Sequence, residues 1–351
     1  LLFLGTDQGL YVSFDYGENW QHWPGESFPS VPVQDMKIHP RDGDLVIGTF
    51  GRAIWILDNL SPLRALAAGT FKTDQAFKAF PAQDGILASW RSYDGARFSA
   101  DAMYSGDNKG TSVSIPVWIK PEKPVDKDKE KDKEKKEKDK EKEDKKDAKP
   151  GSGKVDKGDK ITVTVLSEAG DTLRRFKSNA DTAFTRVGWG METKGVRFPS
   201  NSEPPKDQLE PWGGPPVMPG RYKVVMEYKG NRDSVFVRVA DDPRRPTPAA
   251  DREVYIKSLR DFYKEVEKAT TAYNRLKEAE KTIKLVEDQF VNVPDSLKKD
   301  ALKLGAEIRD SIASIKQGFF NQKEVKGIQR SENNLNSSLY TAQSYLTAVV
   351  G

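Results

Sequence analysis

The chain has 351 residues, 57 Lys and Arg against 53 Asp and Glu, a net charge of +4 and a hydrophobic fraction of 36 %. It has no Cys, which excludes disulfide and thiolate chemistry, and only two His, which makes metal binding a poor expectation; no cofactor is expected. No apolar run approaches the roughly 18 residues of a membrane span, and a small net charge spread over differently composed regions argues against a nucleic-acid surface.

Strand-like stretches come first: Leu1 to Thr6, Gly9 to Phe14, Asn19 to Trp23, Val33 to His39, Asp44 to Phe50 and Ala53 to Leu57, parted by Gly, Pro and Asp turn signals. Within them Gly5 to Asp15 (GTDQGLYVSFD) superposes on Gly48 to Asp58 (GTFGRAIWILD) at an offset of 43 residues, with Leu2-Phe3-Leu4 falling on Leu45-Val46-Ile47. A period of about 40–45 residues is that of a propeller blade of four short strands.

The first copy runs on as Ser13-Phe14-Asp15-Tyr16-Gly17-Glu18-Asn19-Trp20, the pattern S-x-D-x-G-x-x-W. In such a turn Asp15 accepts backbone N–H groups, Gly17 supplies a positive φ and Trp20 packs beneath the hairpin. The pattern resembles the Asp-box of bacterial-neuraminidase-repeat propellers, found in sialidases, xyloglucanase-like glycosidases and sortilin-type receptors. In the second copy only Asp58 keeps its match. About one and a half blades are present where a closed propeller needs roughly four to eight, so the expectation is the C-terminal piece of a larger protein. The stretch HPRDGDLVIGTFGRAIWILDNLSPLR is similar to the closing motif of a large bacterial family, many members from Bacteroidota, labelled sortilin-like or glycosyl hydrolase. That resemblance implies an exported protein whose secretion signal lies upstream.

A second region, about 85 to 245, alternates with period two: Val113, Ile115, Val117 and Ile119 share a face, as do Ile161, Val163 and Val165, then Tyr222, Val224, Met226 and Tyr228, then Val235, Val237 and Val239. Short strands of this kind read as a β-sandwich of immunoglobulin or fibronectin III type. Residues 120–159 form an insertion within it. From Asp126 to Asp147 every residue is charged, eleven Lys against eleven Asp or Glu, a solvated spacer without a net field.

The third region, 249–351, turns helical. Tyr255, Leu259, Phe262, Val266, Ala269, Tyr273 and Leu276 step by four and three. Pro294-Asp295-Ser296 starts a second helix with Leu297, Ala301, Leu304, Ile308, Ile312 and Ile315 facing inward, and a third carries Leu335, Leu339, Ala342, Leu346 and Val349. Short connections predict an antiparallel three-helix bundle, with a face for a protein partner as one use. The expected order is therefore the last one to two blades of a propeller (1–80), a β-sandwich (85–245) and a helical bundle (249–351).

Chemistry-bearing patterns are few. His22 and His39 are seventeen residues apart without a metal-binding spacing, and no G-x-S-x-G occurs. Glycoside hydrolysis needs paired carboxyl groups; Asp15 and Asp58, at equivalent blade positions, read instead as structural. If the Asp-box follows a blade's third strand, the preceding turns open on the ligand-binding mouth, which makes Asp7, Gln8, Phe50 and Arg52 candidate contacts for a glycan or protein. Trp212, in a Pro- and Gly-rich loop from about Thr193 to Met218, is another, able to stack on a sugar ring or a partner surface. The leading expectation is a non-catalytic binding or assembly protein. The alternatives are a glycoside hydrolase with its active site in upstream blades and a sortilin-like peptide or protein receptor.

Overall fold

The computed structural model describes residues 1–24, 27–88, 109–121, 159–181, 183–205, 207–290, 293–320 and 334–348. Most of the charged insertion expected at 120–159, and Val349, lie outside the described residues. The described residues form fourteen strands in four sheets and four helices. The chain divides into two compact units, one of Leu1–Gly85, Ser112–Gly190 and Gly220–Val239, the other of the described residues of Ile86–Thr111, Met191–Pro219 and Ala240–Gly351.

In the first unit β1 (Leu2–Thr6), β2 (Gly9–Ser13) and β3 (Gln21–His22) form one antiparallel sheet in that order, and β4 (Val33–Ile38), β5 (Leu45–Thr49) and β6 (Ile54–Leu57) form another. Leu10, Phe28, Leu45, Ile47 and Leu60 make their shared core, joined by Phe3, Trp23, Val33 and Met36. Each fully buried aliphatic side chain stabilises such a core by about 1.5–3 kcal/mol. The 43-residue repeat is visible here, since β1 maps onto β5 and β2 onto β6. The third strand expected at Asn19 to Trp23 shrinks to two residues, and its counterpart after β6 is a helix, α1 (Ser61–Ala67), with Pro62 at its start. Proline suits a first helical turn because its missing N–H would lack an intrahelical partner anyway.

Downstream, β7 (Phe77–Ala79), β8 (Gly85–Leu87), β9 (Val113–Ile119), β10 (Lys160–Leu166), β11 (Thr172–Asn179), β12 (Ala183–Trp189), β13 (Gly220–Tyr228) and β14 (Asn231–Asp241) follow. β12, β9 and β7 pair in that order, and β11, β10, β13 and β14 run side by side in another sheet. Alternation decides the faces: Val113, Ile115, Val117 and Ile119 are buried on one sheet, Ile161, Val163, Val165, Val224 and Met226 on the other. Trp189 meets Tyr222 edge to face at 5.4 Å, and Phe77 stacks on Tyr228 at 6.1 Å, linking the two buried faces.

The second unit carries α2 (Ala249–Gln289), α3 (Asp295–Phe319) and α4 (Leu335–Ala348). Glu287 of α2 pairs with Arg309 of α3, Glu280 with Lys316, and the Tyr273 ring lies 5.1 Å from that of Phe319. Falling numbers on α2 against rising ones on α3 make the two helices antiparallel. The inward face expected for α3 needs correction: Leu297, Leu304, Ile308 and Ile315 are exposed, and of the expected set Ile312 alone is buried. The helix is turned by about one residue, close to 100°, because the ion pairs from Arg309 and Lys316 and the Phe319 ring lie on the adjoining ridge. Leu259, Tyr263 and Val266 form the core of this unit with Leu339, Leu346, Val196 and Phe198.

The loop around Trp212 belongs to this helical unit. Tyr263 donates its hydroxyl to the Gly213 carbonyl at 2.8 Å, Thr270 to that of Arg197 at 2.5 Å, and Tyr273 to Asn201. Phe198 stacks on Tyr340 at 4.5 Å. Burial raises the Tyr263 pKa, so the hydroxyl keeps the proton it donates.

Candidate functional site

At the S-x-D-x-G-x-x-W turn the side chains close on one another. The Ser13 hydroxyl donates to Asp15 Oδ1 at 2.8 Å and accepts from the Gly17 N–H at 2.8 Å, while Asp15 accepts the Asn19 N–H at 2.9 Å and the Asn19 side-chain amide at 2.7 Å. Gly17 has φ of +97°, a region that costs glycine little. The Asn19 backbone bond, then the bonds from the Asn19 and Ser13 side chains, hold the Asp15 pKa down to about 2. With its lone pairs committed to its own turn, this carboxylate is a local brace. Trp20 lies against Gly17 and is 39 % exposed.

Asp58, at the matching position of the second repeat, does something else. Its Oδ2 accepts from Arg186 Nη1 on β12 at 3.0 Å. This ion pair stands at a cleft of about 210 Å³ lined by Trp23, Leu63, Pro116 and Phe184 among others. Four separate stretches build it: the chain after β3 brings Trp23, α1 brings Leu63, β9 brings Pro116, and β12 brings Phe184 and Arg186. Trp23 is fixed by its N–H to the Leu10 carbonyl at 2.8 Å and by its indole N–H to Ser27 Oγ at 3.0 Å. Phe184 rests on Trp118 at 4.9 Å, itself packed on Phe71 and Phe80, yet is 48 % exposed. The floor is tied by Asn59, whose N–H bonds Asp44 Oδ1 at 2.7 Å and whose amide bonds the Pro81 carbonyl at 3.0 Å.

Chemically the cleft offers two aromatic walls and one guanidinium–carboxylate pair. Among its described lining residues Asp58 is the one carboxylate, so a two-carboxylate mechanism has no second partner there. No group of three or more His, Asp or Glu able to hold a metal occurs among the described residues. His22 Nε2 lies 3.3 Å from the Gln8 carbonyl, and His39 Nδ1 accepts the Asp42 N–H at 3.2 Å.

The remaining expected contacts lie in turns. Asp7 and Gln8 join β1 to β2, where the Gln8 N–H bonds Thr6 Oγ1 at 3.1 Å. Phe50 and Arg52 join β5 to β6; Phe50 is 72 % exposed with its N–H on the Pro32 carbonyl, and the Arg52 carbonyl takes the Trp55 indole N–H at 2.9 Å. The structure brings none of these four into the cleft. Trp212 is 57 % exposed, on the loop bound to α2. Sequence reasoning missed Phe184 and Arg186, although Thr185, Val187 and Trp189 alternate with them and are buried. A phenylalanine on the outward phase of a strand was the available signal.

No family model, curated protein or solved structure matches this chain.

Proposed function

We propose that this chain is the non-catalytic binding and assembly portion of an exported propeller-type protein. In this reading the sheets β1-β2-β3 and β4-β5-β6 are neighbouring blades, the two downstream sheets form an immunoglobulin-like sandwich, and α2 to α4 form a helical bundle. The cleft is the observation that carries it: an apolar hollow with aromatic walls, whose carboxylate is neutralised by Arg186 at 3.0 Å. Such a site suits the face of a sugar ring or an apolar side chain bearing a polar group, and it lacks a paired acid and base.

Assembly is supported by the repeat. Leu45 and Ile47 of β5 are 2 % exposed, while their counterparts Leu2 and Leu4 on β1 are 43 % and 45 % exposed. β1 is also the end strand of its sheet, whereas its counterpart β5 is flanked on both sides. A further sheet of the same repeat, packed on β1 as β1 and β2 pack on β5, is the covering that this symmetry calls for.

The test pairs turnover with binding. Reducing-end release from a polysaccharide and glycoconjugate panel is measured alongside the indole N–H resonance of Trp23, assigned by Trp23→Phe. The expected result is a shifted Trp23 resonance with an oligosaccharide or peptide and no release; release by this chain overturns the non-catalytic reading.

A further inference from the structure

Strand pairing assembles a charged surface that no linear stretch displays. On the sheet strands β11-β10-β13-β14, the residues opposite the buried phase include Arg175 and Lys177 of β11, Thr162 and Thr164 of β10, Arg221, Lys223 and Glu227 of β13 with the buried Val225 between the last two, and Arg232, Ser234, Phe236 and Arg238 of β14. The register sets them in rows. Lys177 lies opposite Thr162, which lies opposite Glu227, opposite Arg232; Arg175 lies opposite Thr164; Lys223 lies opposite Phe236; and Arg221 lies directly opposite Arg238. Glu227 pairs with Arg232 at 3.2 Å, and Asp84 with Arg238 at 3.5 Å. Lys177, Arg221 and Lys223 face no carboxylate across the ladder.

Like charges directly opposite on a sheet are destabilising; Asp84 balances Arg238 in part, at 3.5 Å, and Arg221 is the member of this pair that no ladder carboxylate meets. The Arg221 guanidinium lies over the Phe236 ring at 3.9 Å, and that ring is 54 % exposed. Residues two apart on a strand stand about 7 Å apart and alternate strands about 10 Å apart, so the cations form a flat grid with an aromatic within it and the Thr162 and Thr164 hydroxyls between its rows.

We infer that this sheet face binds an anionic polysaccharide, a chain of acidic sugars whose carboxylates or sulfates meet the cations while one ring lies over Phe236. The surface is flat and offers one exposed aromatic where single-strand nucleic-acid binding uses a succession of them, and duplex grooves admit a protruding helix or ribbon. Carboxylates and sulfates on sugars are also bidentate acceptors that match guanidinium. The inference stands apart from the cleft, since no residue is common to the two sites.

The experiment uses the full chain with polygalacturonate, its fully methyl-esterified form as the uncharged match, chondroitin sulfate, and single-stranded oligo-dT. Binding to one or both acidic polymers that weakens as salt rises, with none to the ester, is expected. Arg221→Glu combined with Lys223→Glu lowers that affinity at least about tenfold, and Lys177→Glu on the separate strand β11 lowers it severalfold. Arg221→Glu gives up the contact with Phe236 but sets opposite charges across the ladder, so its melting temperature is expected to stay close to that of the unaltered chain, which separates lost binding from lost folding. Lys303→Glu, exposed on α3 and part of neither site, leaves the affinity unchanged. Equal binding of the ester, wild-type affinity in the charge variants, no binding to either acidic polymer, or tighter binding of oligo-dT overturns the inference.

Discussion

Leu4 and Ile47 stand at matching positions of a 43-residue repeat, yet Leu4 is 45 % exposed and Ile47 2 %. Ile47 is covered because a neighbouring sheet lies over β5, and β1 lacks such a cover among the described residues. Ile47→Ala is therefore expected to cost about 2–5 kcal/mol, the range for truncating a buried aliphatic side chain. Leu4→Ala in this chain is expected to stay within about 0.5 kcal/mol, as for surface positions. Urea unfolding monitored by circular dichroism compares the two; equal losses would mean that Leu4 is covered as Ile47 is and would remove the argument for an added sheet.

The Asp15 turn gives a prediction with a sign. Its carboxylate is held down to about 2, first by the Asn19 backbone N–H, whereas an unfolded Asp titrates near about 3.9. A depressed folded pKa means that the contribution is fully present above the unfolded value and is lost as pH falls through the folded one. The Asn19 amide resonance of the folded chain is expected to hold its position down to about pH 3 and to move through a midpoint near about pH 2. Asp15→Asn abolishes that step. A midpoint near the ordinary carboxylate range would show that the bonds from Asn19 and Ser13 do not hold in solution.

The pair at the cleft predicts a separation of stability from binding. Arg186 and Asp58 are 52 % and 34 % exposed in their side chains, and ion pairs this open contribute at most about 1 kcal/mol. Arg186→Ala is expected to leave thermal stability nearly unchanged while weakening whatever ligand shifts Trp23. Phe184→Ser removes an aromatic wall and is expected to weaken it further. A ligand bound equally by both variants would place its site elsewhere.

How far these features were legible depends on range. The Ser13 to Trp20 turn is made by residues within eight positions of one another, and its bonds follow the pattern read from the sequence. The alternation at Ile161 to Val165 marked the buried face because period two admits a single inward phase, whereas at Val113 to Ile119 it marked one face of two, since Pro116 and Trp118 are buried on the other. The outward phase carried information that only pairing reveals: Arg175, Lys177, Arg221 and Lys223 come from two strands separated by β10 and are neighbours only through register. Asp58 read as a turn residue because its repeat partner is one, but its own partner, Arg186, lies 128 residues away. The ridge of α3 was misassigned for a different reason. Leu297, Leu304, Ile308 and Ile315 form the more apolar seam, and periodicity alone chooses it, whereas Glu287 and Glu280 on α2 draw Arg309 and Lys316 inward.

The loop carrying Trp212 supplies a last test, of how it is held to α2. A Cβ on Gly214 would sit 2.1 Å from the Thr193 carbonyl oxygen and 2.5 Å from that of Lys194. Backbone atoms cannot give way as a flexible side chain can, so Gly214→Ala must part the two strands of the loop. Overpacking of this kind costs about 1–3 kcal/mol. The effect is expected to be local, because Tyr263, Thr270 and Tyr273 anchor the loop at Gly213, Arg197 and Asn201. Tyr263→Phe is a milder probe, losing one hydrogen bond worth about 0.5–1.5 kcal/mol and leaving the loop backbone intact. Hydrogen exchange should then quicken at Thr193 and Gly195, whose N–H groups bond the Pro215 and Pro211 carbonyls, strongly in Gly214→Ala and weakly in Tyr263→Phe. Protection unchanged in Gly214→Ala would show that the two strands of the loop do not lie this close in solution, and Trp212 would then be carried on a loop that α2 does not fix.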